Sequence, residues 1–280
     1  MDTAHVALTG ADFERLRAVI RAESGISLGR EKKTMLEIRL KRRLPSLRLS
    51  SLNDYCQYVF SREGRSEEMV HLIDAVTTNK TDFFRERDHF EYLTAKALPD
   101  LAARNGANRK ALIWSAGCST GEEPYSLGMV LSDYAQSHPG FRFSLLATDI
   151  STAVLHQAAM GIFKSEAVRP VPANLSQKYL MRSRDPSSGL VRVVPELRAK
   201  IDFRRLNFMA ADYGLPEAPE IIFCRNVIIY FDRPTQIRVV SALARHLAPG
   251  GYFFAGHSES LQNMDLPLAT AGRSVYRKQA

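Results

Sequence analysis

The chain has 280 residues, 45% of them hydrophobic and 24% charged, which is enough for a full core and excludes a disordered or fibrous protein. No apolar run approaches the roughly 18 residues that cross a bilayer, and the start Met1-Asp2-Thr3 lacks the layout of a secretory signal, so a cytoplasmic protein without membrane insertion is expected. Three cysteines (Cys56, Cys118, Cys224) form no Cys-x-x-Cys pair and seven histidines show no ligand spacing, which predicts reduced thiols and no metal.

The first hundred residues read as helices. Thr9-x-x-Asp12 is a capping signal for a helix whose apolar face is Phe13, Leu16, Val19 and Ile20. The net charge of +8 is concentrated in the next element: residues 30–48 carry eight cations against Glu31 and Glu37. Leu36, Leu40, Leu44 and Leu47 give this segment an apolar stripe, so it is predicted as one basic helix from Lys32 to Arg48 that packs on a core and shows its cations to a polyanion. Its bland alternative is a solvated cationic surface. Ser51-x-x-Asp54 opens a further helix, and Met69, Leu72, Ile73 and Val76 support a fourth.

From residue 111 the pattern alternates strand and helix. Ala111 to Trp114, Phe143 to Thr148, Ile221 to Cys224 and Tyr252 to Ala255 are strand candidates separated by helical stretches, which implies an α/β, doubly wound, Rossmann-like parallel sheet with helices on both faces. Between Lys178 and Phe208 three short runs, Tyr179 to Met181, Leu190 to Val194 and Ile201 to Arg204, read as a small antiparallel insertion with a turn at Asp185 to Gly189.

Gly117 and Gly121 lie in a loop joining the first strand to a helix, where a ligand can meet backbone N–H groups. The loop lacks the Lys-Ser/Thr of a phosphate-binding loop and has Glu122 and Glu123 instead, which suits a positive centre or ribose hydroxyls, as in S-adenosylmethionine. Asp149, ending the second strand, stands where such folds place an acid on ribose. Gly117-x-Ser119-x-Gly121 also matches a hydrolase nucleophile elbow, with Asp232 and His257 in a permitted chain order, but the strands that should precede the elbow read as helix.

Five stretches in order, Thr77 to Glu86 (TTNKTDFFRE), Trp114 to Ser126 (WSAGCSTGEEPYS), Ala147 to Ile150, Phe223 to Asp232 (FCRNVIIYFD) and Ala255 to Ser260 (AGHSES), closely resemble the CheR chemotaxis receptor methyltransferases over nearly the whole chain. The resemblance implies an all-helical N-terminal domain with linker (1–86), a methyltransferase domain (87–280) and a β-subdomain insertion at about 178–206. It implies methyl transfer from S-adenosylmethionine to glutamate side chains of chemoreceptor cytoplasmic helices, giving γ-glutamyl methyl esters and S-adenosylhomocysteine. Matched motif by motif, the cofactor contacts are Asn79, Thr81, Arg85, Glu122, Asp149, Asn207, Phe208, Arg225 and Asn226, to which the glycine-loop reading adds Gly117. Alone, Thr77 to Asn79 and Asp149 would each read as helix caps. An arginine described for some members on the helix after Phe-Phe-Arg-Glu has no match; Lys96 is the nearest cation.

A glutamate carboxylate with a reference pKa of about 4.3 is already ionised at neutral pH and requires no general base, so positioning should dominate catalysis. Tyr230 is expected to align the acceptor and Arg85 to hold the cofactor end and orient the carboxylate. The resemblance places Lys41, Arg42 and Arg43 against the acidic receptor helix. It also places a C-terminal receptor pentapeptide on the β-subdomain, with Arg182 and Arg192 pairing an acidic peptide residue. A monomer that binds no nucleic acid is expected. The alternatives are a nucleic-acid methyltransferase, which the overall charge suits, and a non-catalytic S-adenosylmethionine-binding signalling protein.

Overall fold

The computed structural model describes residues 7–105, 110–215 and 217–279. The start at Met1-Asp2-Thr3 lies outside the described residues, and no helix among them is long and apolar enough to cross a membrane.

The N-terminal part is a bundle of short helices: α1 (Gly10–Ser24), α2 (Lys33–Lys41), α3 (Leu44–Leu47), α4 (Leu52–Phe60), α5 (Arg62–Glu67) and α6 (Met69–Val76). The capping residues act as the sequence suggests. Thr9 Oγ1 accepts the Asp12 N–H at 3.0 Å and Ser51 Oγ that of Asp54 at 3.1 Å, each satisfying a donor left free in the first helical turn. Phe13, Leu16 and Ile20 are buried with Leu36, Leu40, Leu52 and Leu72 in one core, while Val19 is only half-buried.

The basic segment is not one helix. A 3-10 turn at Arg30–Lys32 leads into α2, which ends at Lys41 with Arg42 as its cap, and Pro45 in the first turn of α3 interrupts the hydrogen-bond ladder between them. Its cations also divide. Arg39 donates to the carbonyls of Ala75 (3.1 Å) and Thr77 (2.7 Å) at the end of α6. Arg43 makes a fork with Glu68 at 2.8 and 2.9 Å, and Tyr55 adds a hydroxyl at 3.3 Å; Glu68 is only 1% exposed. Lys41 and Arg42 have no such partner among the described residues.

Strands β1 (Lys110–Ala116), β2 (Arg142–Asp149), β6 (Ile201–Arg205), β7 (Ile221–Cys224), β8 (Tyr252–Ala255), β9 (Leu268–Gly272) and β10 (Val275–Lys278) form a seven-stranded sheet in the order β6-β2-β1-β7-β8-β10-β9. The first five in that order are parallel, and the C-terminal hairpin is antiparallel. Along β1 the side chains alternate between two cores. Ala111 and Ile113 join the layer of α7 (Arg87–Tyr92), α8 (Leu98–Asn105) and α9 (Glu122–Ser137), while Leu112, Trp114 and Ala116 face α13 (Arg233–His246). Helix α10 (Thr152–Met160) ends at Gly161, whose left-handed φ of 61° turns the chain away from the sheet.

The insertion differs from expectation. Its sheet has the order β3-β5-β4, built from β3 (Ile162–Lys164), β4 (Leu180–Arg182) and β5 (Leu190–Val193), with α11 (Ala173–Tyr179) between β3 and β4. It therefore begins near residue 162 rather than 178. Ile201–Arg205, expected to be its third strand, instead pairs parallel with β2 after the short α12 (Pro195–Arg198). Ile162-Phe163-Lys164 contains a single buried side chain, too little periodicity to announce a strand, whereas β6 alternates as an edge strand of either sheet would.

Removing one partner of a buried charge pair leaves the other uncompensated. Arg43→Ala should destabilise the helical domain by about 3 kcal/mol in urea unfolding, and Glu68→Gln by less.

Candidate active site

The crevice lies at the carboxyl ends of β1, β2 and β7, where parallel strands of this topology leave space between their loops. Its floor is the loop after β1. Gly117 has φ 90°, and a Cβ there would lie 2.4 Å from Val227 Cγ2, so only glycine allows the two loops to meet. The N–H groups of Gly117 and Cys118 both donate to Thr148 O, binding the loop to the end of β2. Asp149 is the next residue; its two oxygens accept the N–H groups of Ser119 at 2.9 Å and Ser151 at 3.0 Å. Burial raises the pKa of this carboxyl, with the backbone bonds pulling the other way. Each oxygen keeps acceptor capacity for a hydroxyl in the crevice.

A buried cation sits on the opposite wall. Arg225, 6% exposed, donates from Nε and Nη2 to Glu86 Oε2 at 3.2 and 3.1 Å, from Nη1 to Glu123 Oε2 at 3.2 Å, and from Nη2 to the Arg85 carbonyl. Ser115 Oγ steadies the other oxygen of Glu123 at 2.7 Å. Burial pushes Glu123 up while Arg225 pulls it down, with a net rise; for Glu86 burial is outweighed by Arg225 and by the His257 N–H, and its pKa falls. With both ionised, two carboxylates around one guanidinium leave a net negative charge beside the crevice.

Glu86, His89 and His257 are the one group with metal-ligand character among the described residues. Both oxygens of Glu86 are already engaged, one by Arg225 and one by His257 N–H at 3.2 Å, and the nearby guanidinium repels a second cation. His89 is 1% exposed and its ring nitrogens have no hydrogen bond; burial, then Arg225, lower its pKa to about 4, so it is neutral at physiological pH.

Tyr230 lines the rim in a 3-10 turn, Ile228–Tyr230, and the helical domain holds it there. Ser27 N–H donates to Tyr230 O at 2.8 Å, Ile26 forms an isolated bridge with Phe231, and Asp74 takes the Thr152 N–H and hydroxyl at 3.1 and 2.9 Å at the start of α10. Arg85 reaches the Lys80 carbonyl and has no carboxylate partner among the described residues, so its charge is available to the crevice.

Of the residues singled out by sequence, Asn79, Thr81, Arg85, Gly117, Asp149, Phe208, Arg225, Asn226 and Tyr230 line this one crevice. Two do not. Glu122 is buried against the Thr120 hydroxyl at 2.6 Å, and the Asn207 side chain spans the Glu23 carbonyl (2.6 Å) and the Met209 N–H (2.9 Å). Lys96 is exposed in the π-helical stretch Leu93–Ala97, away from the site. Sequence reasoning missed Glu86 and Glu259, although both lie in the motifs quoted above, and it read Glu123 as a ligand-facing acid where the structure commits it to Arg225 and Ser115. The hydrolase constellation is not assembled: Ser119 Oγ donates to Asn79 O, Asp232 caps α13, and His257 Nε2 lies 2.9 Å from Asp88. Lys41 and Arg42 belong to the α2 end, while Arg43 is committed to Glu68. Arg182 is exposed at the end of β4, and Arg192 in β5 donates to Met160 O at 3.2 Å.

Residues 11–77 match the family described as CheR methyltransferase, all-alpha domain, and residues 79–276 match CheR methyltransferase, SAM binding domain. The chain is 40% identical over 274 residues to the chemotaxis protein methyltransferase of Escherichia coli K12, covering 98% of this chain and 93% of that one. It is 39% identical to chemotaxis protein methyltransferase 2 of Pseudomonas aeruginosa, covering 96% and 93%. With the chemotaxis protein methyltransferase of Borreliella burgdorferi it shares 34% identity, over 92% of this chain and 91% of that one.

The crevice's polar groups fit S-adenosylmethionine: an acid for ribose hydroxyls, negative charge for a sulfonium, and Glu122-Glu123 after Gly121 in place of the Lys-Ser/Thr of a phosphate-binding loop. Asp149→Asn puts an amide N–H against a backbone donor and should weaken S-adenosylmethionine binding by about tenfold to a hundredfold in calorimetry. In the wild type, affinity should fall on acidification from above the usual carboxylate range, because the competent form of Asp149 is the ionised one and its pKa is raised.

Proposed function

The chain belongs to the CheR methyltransferases, S-adenosylmethionine-dependent enzymes of chemotaxis, and on that premise we propose that it methylates glutamate side chains of chemoreceptor cytoplasmic helices to γ-glutamyl methyl esters. The observation that supports this acceptor is the rim of the crevice. Arg85 and Tyr230 stand beside an otherwise acidic pocket, a cation and a hydroxyl that can hold one carboxylate where the pocket would repel it.

The cofactor supplies an activated methyl on a sulfonium, and S-adenosylhomocysteine is the product. Asp149 takes its ribose hydroxyls, while Asn79, Thr81, Gly117, Phe208 and Asn226 form the walls. Arg225, saturated by Glu86 and Glu123, works as a fixed strut with at most one N–H left to donate. The glutamate acceptor is ionised at neutral pH, so these residues have no proton to remove. Their task is alignment and exclusion of water.

Receptor contact falls to Lys41 and Arg42, the cations at the end of α2 that no carboxylate neutralises among the described residues. On the β-subdomain, β4 is an outer strand with Met181 and Arg182 exposed, which supports capture of a receptor C-terminal pentapeptide by strand addition. Arg192 pairs with Met181 and Arg182 with Val191, so the two arginines leave opposite faces of the sheet and only one of them can meet a given acidic residue of the peptide. The protein acts in the cytoplasm as a monomer of two parts, a helical domain to residue 86 and a methyltransferase domain from residue 87. No metal and no nucleic acid takes part. The basic segment at residues 30–48 has no aromatic side chain on which a base could stack, which disfavours a nucleic-acid substrate.

Transfer of labelled methyl groups to receptor cytoplasmic fragments should give an alkali-labile product. Alkali-stable label on RNA would replace the reading with nucleic-acid methylation, and cofactor binding without any transfer would leave a signalling protein. Tyr230→Phe should lower kcat about tenfold or more at near-normal cofactor affinity. Charge reversal at Lys41 and Arg42 should raise the receptor KM, and added salt should narrow the difference from wild type.

A further inference from the structure

The residues after β7 contain a feature that the cofactor contacts do not account for. Asn226 is left-handed, with φ 58°, and Val227 follows in the right-handed region, so the N–H groups of Asn226, Val227 and Ile228 converge on one point. Such a nest is a concavity for an anion. At the carboxyl end of a parallel strand it would ordinarily face a ligand. Here a side chain from the next crossover fills it: Glu259, 4% exposed, in the loop after β8.

The fit is complete. Glu259 Oε2 accepts the N–H of Asn226 at 2.7 Å and of Gly256 at 2.8 Å, and Oε1 accepts those of Val227 at 2.8 Å and Ile228 at 2.9 Å. Glu259 N–H closes its own turn on Gly256 O at 2.9 Å. No room is left for another side chain on that turn, since a Cβ at Gly256 would lie 2.7 Å from Asn226 Nδ2 and 2.8 Å from Glu259 Oε2. On the other side of the same loop, Val227 packs on Gly117 and Tyr230 accepts from Ser27. The carboxylate thus fixes the backbone from which the Asn226 and Tyr230 side chains both enter the crevice.

We propose that Glu259 is a positioning residue for methyl transfer, an internal anion that holds the loop 226–230 so that Asn226 meets the cofactor and Tyr230 meets the acceptor. This rests on the assignment of those two residues given above. A carboxyl group of the cofactor or substrate cannot use the nest, which is already full, so cationic side chains such as Arg85 must serve it.

Glu259→Gln keeps size and shape but turns an amide N–H toward a pair of backbone donors. In the full-length protein, with folding checked by circular dichroism at the assay temperature, it should raise the S-adenosylhomocysteine Kd and lower kcat, each about tenfold or more, while the receptor KM stays within about twofold. A loss confined to thermal stability would refute the proposal. The double variant Glu259→Gln/Tyr230→Phe should lose less kcat than the product of the single losses, because Glu259 acts through Tyr230; full multiplicativity would overturn it. Should Glu259→Gln not fold, Gly256→Ala, which crowds the same contact, should give the same split between Kd, kcat and receptor KM, and wild-type values in that variant would overturn the proposal. If Tyr230→Phe and Asn226→Ala are themselves silent, the reading of the site fails instead.

Discussion

One buried guanidinium holds the working parts of this protein together. Arg225 projects from the end of β7 and binds Glu86 in the linker, Glu123 at the start of α9 and the carbonyl of Arg85. The partners lie in two segments, Arg85 and Glu86 in the linker and Glu123 in α9, so with the strand end that carries Arg225 itself, the linker from the helical domain, the cofactor loop and the acceptor loop share one fixed point. Such a charge pays its desolvation only when its hydrogen bonds are met, which explains why two carboxylates and a carbonyl surround it. The strain of left-handed backbone at Phe84 and Glu86 is tolerated within this arrangement.

The carboxylates of the site divide by what they touch. Asp149 and Glu259 both accept backbone N–H groups, but Asp149 keeps a face toward the crevice while Glu259 is wholly consumed by four donors. Glu122 and Glu123, adjacent in sequence, point into different surroundings: one to the Thr120 hydroxyl and the other to Arg225. An acidic motif therefore says that negative charge is needed, and the fold decides which member faces ligand.

Much of this was legible in the sequence. Strands β7 and β8 are predicted to the residue, and the caps at Thr9 and Ser51 are found as read, because short local signals there have a single physical reading. The basic helix was misread because leucine spacing carries through Pro45 as if the ladder were unbroken. The insertion was misread because β3 has three residues and β6 carries an edge-strand pattern that fits two sheets. The C-terminal hairpin went unseen, its β9 being mostly small, exposed residues with none buried. Pocket residues could be gathered from motifs, but the pairings of Arg225 with Glu86, 139 positions apart, and of Asn226 with Glu259 are long-range facts that no local spacing encodes.

The bridge between Ile26 and Phe231, with Ser27 donating to the Tyr230 carbonyl, makes the helical domain part of the catalytic rim rather than a detachable receptor adaptor. Chimaeras that exchange the first domain between relatives to redirect receptor choice would therefore have to carry a matched pair of segments, residues 25–28 and 227–232. A join placed at the apparent domain boundary alone would break the seam across the rim and confuse altered recognition with a displaced tyrosine.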